Sequence, residues 1–374
     1  MKNTPYYINI PGDTIPASLT TSIFKNSDPL DFHRSLKSYF PTPLLELKNL
    51  AKETGVKNIF VKDESFRFGL KAFKGLGASY AIHKILENDP NIETFCTATD
   101  GNHGRAVAWS VKLFGKRAMV YVPKDTSKAR IEAIEKEGAI VEKIDGNYEE
   151  TCSVAKKMSK NNKWQLVQDA AWENYEEIPA YIMAGYFTHF QELEESIHSL
   201  PNPKVDVVFL QAGVGSWPAA AAWYYLNRYG SKRPNLVIVE PTEAAGLLAS
   251  FKKGKRISPS GNYKTIMAGL NCGIPSLSAW EILKNTADAV MAIEDGFTEQ
   301  AIRKLYYPID ADPKVISGES GAGGLAGFIA LMTDPRFQNL KKTLNITNKS
   351  NILFFNTEGD TDPENFQKII GKLS

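Results

Sequence analysis

The chain is poor in several residue types, and each shortage removes a class of function. Three cysteines, Cys96, Cys152 and Cys272, occur in 374 residues. They lie far apart, form no CxxC pair and define no disulfide framework, which points to a reducing, cytoplasmic setting. The five histidines (His33, His83, His103, His189 and His198) are scattered, with neither an HExxH motif nor a Cys/His cluster to hold a metal. Net charge is +2, and no long basic run is interleaved with aromatics, so nucleic acid is not an expected partner. The opening stretch, MKNTPYYINIPGDTIP, lacks an apolar core and does not read as a secretory signal. One window, 207–226, carries no charge, yet Gly213, Gly215 and Pro218 divide it into strand, turn and helix, and no membrane span is expected.

What is present is a soluble globular composition, 43% apolar and 23% charged, on a chain long enough for two domains. Strand and helix patterns alternate. Runs such as VDVVFL, NLVIV and NILFF are apolar throughout, as parallel strands covered on both faces must be. The spacing predicts strands over 58–62, 94–99, 118–122, 139–144, 164–168, 205–210, 236–240, 289–293 and 351–356. A helix is expected over 44–54 and one long helix over 180–199. The fold class is therefore α/β, with ligand sites in loops at the carboxyl ends of strands.

One stretch, 58–82, stands apart. After a strand and a charged loop, a helix begins near Ala72 with Lys74 in its first turn, between Phe73 and Gly75. The positive end of the helix dipole disfavours an ammonium there, and helix starts usually carry acidic or hydroxyl residues. Burial and dipole together would lower a lysine pKa from its reference of about 10.4, which is what an imine-forming lysine needs. A solvated lysine snorkelling off the helix is the bland alternative.

Three loops can carry chemistry. The first, 97–105, holds Asp100, Asn102 and His103 between glycines 101 and 104, although Asn102 is equally readable as an ordinary helix cap. The second, 211–216, reads QAGVGS: glycines, a hydroxyl and backbone N–H groups at a helix start make a phosphate cradle. A dinucleotide turn with Glu240 on a ribose is the competing reading, weakened by the missing third glycine. The third, 356–362, clusters acids and hydroxyls after the last strand.

Taken together, PTPL, KDESFRFGLKAFK, TDGNHGR, QDAAW, QAGVGS, IMAGLNCG, SGESGA and NTEGDTD follow one another in an order and spacing that extend from Pro41 to the end of the chain. This set resembles the 2,3-diaminopropionate ammonia-lyase family, within the fold-type II pyridoxal 5'-phosphate (PLP) enzymes. The resemblance implies two open, twisted, mostly parallel sheets flanked by helices, with the cofactor in a cleft between domains. It implies a large PLP-binding domain from 1–75 and 185–374, a small domain over 76–184, and a homodimer.

The same resemblance implies residue roles. Lys74 would hold PLP covalently and Phe73 would pack beside it. Asn102 would bond the phenolic oxygen. Gly213, Val214, Gly215 and Ser216 would take the phosphate, and Thr357 would offer a neutral hydroxyl to the pyridine nitrogen. Related serine and threonine dehydratases carry a small neutral residue where this chain has Asp100, and a second acid, Asp169, follows the 164–168 strand. Two carboxylates suit the cationic β-amine of a diamino acid. The expected reaction is α,β-elimination of 2,3-diaminopropionate to pyruvate and two ammonia. Lys74 would take the Cα proton of the L isomer and Asp100 that of the D isomer, while Asp169 would bind or protonate the leaving amine or help with proton abstraction. The other readings are a serine/threonine dehydratase or other β-eliminating lyase, a NAD-dependent dehydrogenase, and a non-catalytic relative. Lys71 and Trp217-Pro218 depart from the family pattern.

Overall fold

The apolar runs become the strands of two sheets. The computed structural model of the chain describes residues 4–99, 101–197 and 204–371. The strands are β1 (Tyr6–Ile8), β2 (Leu44–Glu46), β3 (Asn58–Asp63), β4 (Thr94–Ala98), β5 (Arg117–Pro123), β6 (Ile140–Ile144), β7 (Gln165–Leu166), β8 (Val207–Gln211), β9 (Asn235–Pro241), β10 (Ala289–Ile293) and β11 (Asn351–Asn356). The larger sheet runs β1-β10-β9-β8-β11-β3-β2, and the smaller β6-β5-β4-β7. All pairings are parallel except at the two edges of the larger sheet, where β1 and β2 run antiparallel to their neighbours. Every residue of β8, β10 and β11 is buried, which explains why those strands show no polar alternation.

The chain divides into two compact units. The first contains Met1–Ala17, Pro41–Phe66 and His189–Ser374, and holds the larger sheet. Phe209, Phe328 and Phe354 meet there with ring centroids 5.5–5.7 Å apart. Gly327 lets the helix Gly323–Thr333 close on β9, because a Cβ would come within 2.6 Å of Val239 Cγ2. The second unit contains Ser18–Phe40 and Arg67–Thr188. His33 ties its N-terminal piece down: Nδ1 lies 2.6 Å from Thr188 Oγ1 and Nε2 3.0 Å from the Leu76 carbonyl.

Two expected helices are corrected. Residues 44–46 form the edge strand β2, paired with Lys62, Val61 and Phe60, and the helix starts only at Lys48 (Lys48–Thr54). Pro41 and Pro43 suit an edge position, where a missing N–H interrupts no ladder. The expected long helix over 180–199 is two helices, Glu177–Gly185 and Phe187–Ile197; His198 and Ser199 lie outside the described residues. The break falls at Tyr186, beside Gly185, which packs so close to Leu76 that a Cβ would come within 2.5 Å of its carbonyl oxygen.

Candidate active site

Three lysines in the stretch 62–74 are sorted by their surroundings. Lys62 is fully buried and locked, its Nζ 2.6 Å from Glu192 Oε2 and 2.6 Å from the Thr42 carbonyl. Lys71 is exposed at a positive φ of 56°. Lys74 is the first residue of the helix Lys74–Asn88, with its side chain 22% exposed and Nζ 2.7 Å from Asp169 Oδ2. Its Nζ also stands 5.5 Å from the centre of the Phe73 ring, which itself packs on Tyr186 at 4.8 Å. Gly77 allows this helix to press against Glu177–Gly185, since a Cβ would meet Tyr186 and Ile182 at 2.6–2.7 Å. Burial and dipole were expected to act alone on Lys74; the structure adds a carboxylate, so in this state the amine is an ion-pair partner.

Asp169 is held by a rigid neighbourhood. Gln168, just before it, accepts from Ala98 N (3.1 Å) and Thr97 Oγ1 (3.0 Å) and donates to the Ala98 carbonyl and Tyr148 hydroxyl at 3.0 Å each. Trp172 and Tyr175 exchange backbone hydrogen bonds and stack with centroids 4.2 Å apart. Burial works to raise the Asp169 pKa, but the Lys74 cation overrides it and keeps the carboxyl well below the usual range.

The turn after β4 is built on Thr99, whose Oγ1 accepts from the N–H groups of Gly101 (2.9 Å) and Gly104 (3.1 Å). The helix Asn102–Leu113 therefore starts without Asn102 as its cap. Asp100 lies outside the described residues. His103 is buried, with Nε2 3.0 Å from the Val167 carbonyl and Nδ1 3.8 Å from Asp169 Oδ2. Burial and the Lys74 cation depress its pKa, against the pull of Asp169. Sequence reasoning gave His103 no role, because nothing local reveals which groups its two nitrogens face.

In the first unit, the turn 213–216 follows β8 and leads into the helix Ser216–Tyr229. Gly215 has φ +91°, the left-handed region that favours glycine. A Cβ on Gly213 would meet Cys272 Sγ at 2.8 Å, so the motif around Cys272 forms the wall behind the turn. The backbone N–H groups of Gly213, Val214 and Gly215 donate to no other backbone group among the described residues. Trp217, one of the departures, turns into the core, where its Nε1 donates to His189 Nε2 at 3.0 Å and its ring meets Phe355. Thr357 is buried after β11, and Gln211 Nε2 lies 2.9 Å from its Oγ1, 2.9 Å from the Phe355 carbonyl and 3.1 Å from the Gly321 carbonyl. The SGESGA and NTEGDTD loops clasp one another through Gly318 N to the Glu358 carbonyl and Ser320 N to Glu358 Oε1, both 2.9 Å.

Glu240 contradicts the dinucleotide reading. It is fully buried, and its two oxygens accept from Leu247 N and Leu248 N at 2.8 Å each, capping the helix Gly246–Lys253. Burial raises its pKa to about 8. Buried against the helix start, the carboxylate is not presented to a ribose.

A lysine at a helix start with a carboxylate beside it, and a glycine turn presenting N–H groups after a parallel strand, together define a class. The chain matches the family described as pyridoxal-phosphate dependent enzyme over residues 36–347, and it belongs to that family. Within it, the chain is 38% identical over 356 residues to the diaminopropionate ammonia-lyase of Escherichia coli, covering 91% of this chain and 89% of the relative. The crystal structure of the Escherichia coli enzyme in complex with an aminoacrylate-PLP azomethine reaction intermediate superposes with a TM-score of 0.91 at 37% identity, covering 98% and 97% of the two chains. Threonine deaminase isoform 2 from Solanum lycopersicum, 20% identical over 98% of this chain and 96% of its own with a TM-score of 0.77, shares the fold. The residues present suit PLP: an amine that could meet its aldehyde, a glycine turn whose backbone N–H groups could meet its phosphate, and a buried hydroxyl that could meet its ring nitrogen.

Proposed function

We propose that this chain eliminates ammonia from 2,3-diaminopropionate, as either isomer, to give pyruvate and two ammonia. The observation that carries the reading is the Lys74–Asp169 pair, 2.7 Å apart, in a chain of this family. A neutral β-hydroxyl substrate gives a buried carboxylate nothing to neutralise it, whereas a β-ammonium does.

When bound, PLP supplies the electron sink that makes the Cα proton removable. Lys74 carries the cofactor and takes the Cα proton of the L isomer; Asp100 takes that of the D isomer. Asp169 receives the β-amine. Phe73 would pack beside the cofactor ring and Asn102 would donate to its phenolic oxygen. The N–H groups of Gly213, Val214 and Gly215, with Ser216, would hold the phosphate. Thr357 would offer its hydroxyl to the pyridine nitrogen. The two hydrogens of the Gln211 amide turn toward the Phe355 and Gly321 carbonyls, which only accept, and this fixes Nε2 against Thr357 Oγ1 and holds that side chain in place. A homodimer working in the cytoplasm completes the reading. Three free cysteines suit a reducing compartment, and among the described residues no helix is long and apolar enough to cross a membrane.

Pyruvate release from D- and L-diaminopropionate, D-serine and L-threonine tests the assignment; preference for L-threonine by orders of magnitude would overturn it. Asp100→Asn is expected to depress D-isomer turnover far more than L-isomer turnover, and equal losses would remove its stereochemical role. Gln211→Met, which keeps the volume but not the donor, is expected to weaken cofactor affinity about two- to tenfold, the range of one neutral hydrogen bond. Titration of the apoenzyme with PLP checks this, and an unchanged dissociation constant contradicts it.

A further inference from the structure

His103 carries an unsatisfied valence in the middle of the site. The Val167 carbonyl, 3.0 Å from Nε2, can only accept, so Nε2 holds the proton and Nδ1 presents a bare lone pair. That nitrogen is buried and has no hydrogen-bond partner among the described residues. A buried acceptor left without a donor is destabilising, and such groups persist mainly where function uses them.

The groups around Nδ1 show what would repay it. Asp169 Oδ2, from the loop after β7, is 3.8 Å away, and Lys74 Nζ, from the helix Lys74–Asn88, sits 2.7 Å from that same oxygen. Tyr186, between the next two helices, is held neutral by burial, which pushes its hydroxyl up to about 12. Two acceptors 3.8 Å apart are spanned by one nitrogen standing about 2.8 Å from each, the ordinary hydrogen-bond length. An ammonium has three N–H groups and can serve both; a hydroxyl has one and cannot.

We propose that His103 Nδ1 and Asp169 Oδ2 are a paired acceptor for the β-ammonium of the substrate, and that His103 sets the preference for a β-amine over a β-hydroxyl. The proposal rests on the lyase reading and on Lys74 leaving Asp169 once its nitrogen is committed to the cofactor. It requires a neutral imidazole, so KM for the diamino acid rises as the pH falls far enough to protonate His103, while KM for serine does not.

The test compares the holoenzyme with His103→Leu and His103→Gln on diaminopropionate and D-serine. His103→Leu is expected to raise KM for diaminopropionate about 10- to 100-fold, as for a hydrogen bond to a charged donor, and to change D-serine kinetics within about twofold. His103→Gln, which retains an acceptor, is expected to recover part of the loss. A second readout needs no turnover: in the cofactor-loaded Lys74→Ala variant, the His103 Nδ1 nitrogen resonance should shift on saturation with diaminopropionate and stay in place with D-serine. Equal losses on both substrates, or a resonance unmoved by the diamino acid, would overturn the assignment of His103. An unsubstituted enzyme inert toward diaminopropionate would overturn the lyase reading itself.

Discussion

Lys74→Ala is expected to lower pyruvate formation from either isomer by roughly four orders of magnitude and to remove the visible chromophore of the lysine–cofactor linkage. The size of the effect follows from the two tasks proposed for one nitrogen, carrying the cofactor and moving the Cα proton. No neighbour can substitute. Lys62 is sealed between Glu192 and the Thr42 carbonyl, and Lys71 faces solvent. The variant should remain folded, because the loss of Lys74 removes the cation beside Asp169, and burial then lets that carboxyl protonate. Unfolding by heat with a midpoint near that of the parent separates a chemical loss from a structural one.

Asp169→Asn should lower kcat/KM for diaminopropionate about 10- to 100-fold, the cost of exchanging a charge-assisted hydrogen bond for a neutral one. Substrates with a neutral β-substituent should lose much less. With Lys74 beside it, the carboxyl is held well below the usual aspartate range in spite of burial. The sign of the pH effect follows. A depressed native pKa stabilises the fold fully above the unfolded value of 3.8 and loses that stabilisation only as the pH falls further. While Lys74 stands beside it, Asp169 is thus ionised above the usual aspartate range. Commitment of Lys74 to the cofactor removes that cation and leaves burial to raise the Asp169 pKa, so an acid limb in the parent kcat/KM profile is expected to be lost in Asp169→Asn, and an unchanged limb would assign it to another group.

Much of the fold was legible because burial writes itself into composition. A strand covered on both faces has no room for polar alternation, so VVFLQ, AVMAI and NILFFN declared themselves as strands. Three-residue β2 did not, since its identity depends on pairing with Lys62, Val61 and Phe60 rather than on its own pattern. The helix break at Tyr186 was hidden for a similar reason: it follows from the close approach of Gly185 to Leu76, over a hundred residues away in sequence.

The candidate site divides the same way. Lys74 stood out as a lysine at a helix start and the 213–216 turn as glycines before a helix, whereas Asp169 came only from the family resemblance. Glu240 misled, because a carboxylate at the end of a parallel strand looks the same in sequence whether it meets a ribose or, as here, the N–H groups of Leu247 and Leu248. Gln211 and His103 stood in their loops without an assigned role. Their importance lies in the carbonyls of Phe355, Gly321 and Val167, which fix the direction of a hydrogen, and backbone carbonyls leave no mark on a sequence.

The central claim is that one amine carries the chemistry. Reduction of the cofactor-loaded protein with borohydride, followed by tryptic digestion and mass mapping, should place the pyridoxyl group on Lys74 and on no other lysine. A fully loaded preparation with the label on Lys62, Lys71 or elsewhere, or with no covalent label at all, would contradict the account.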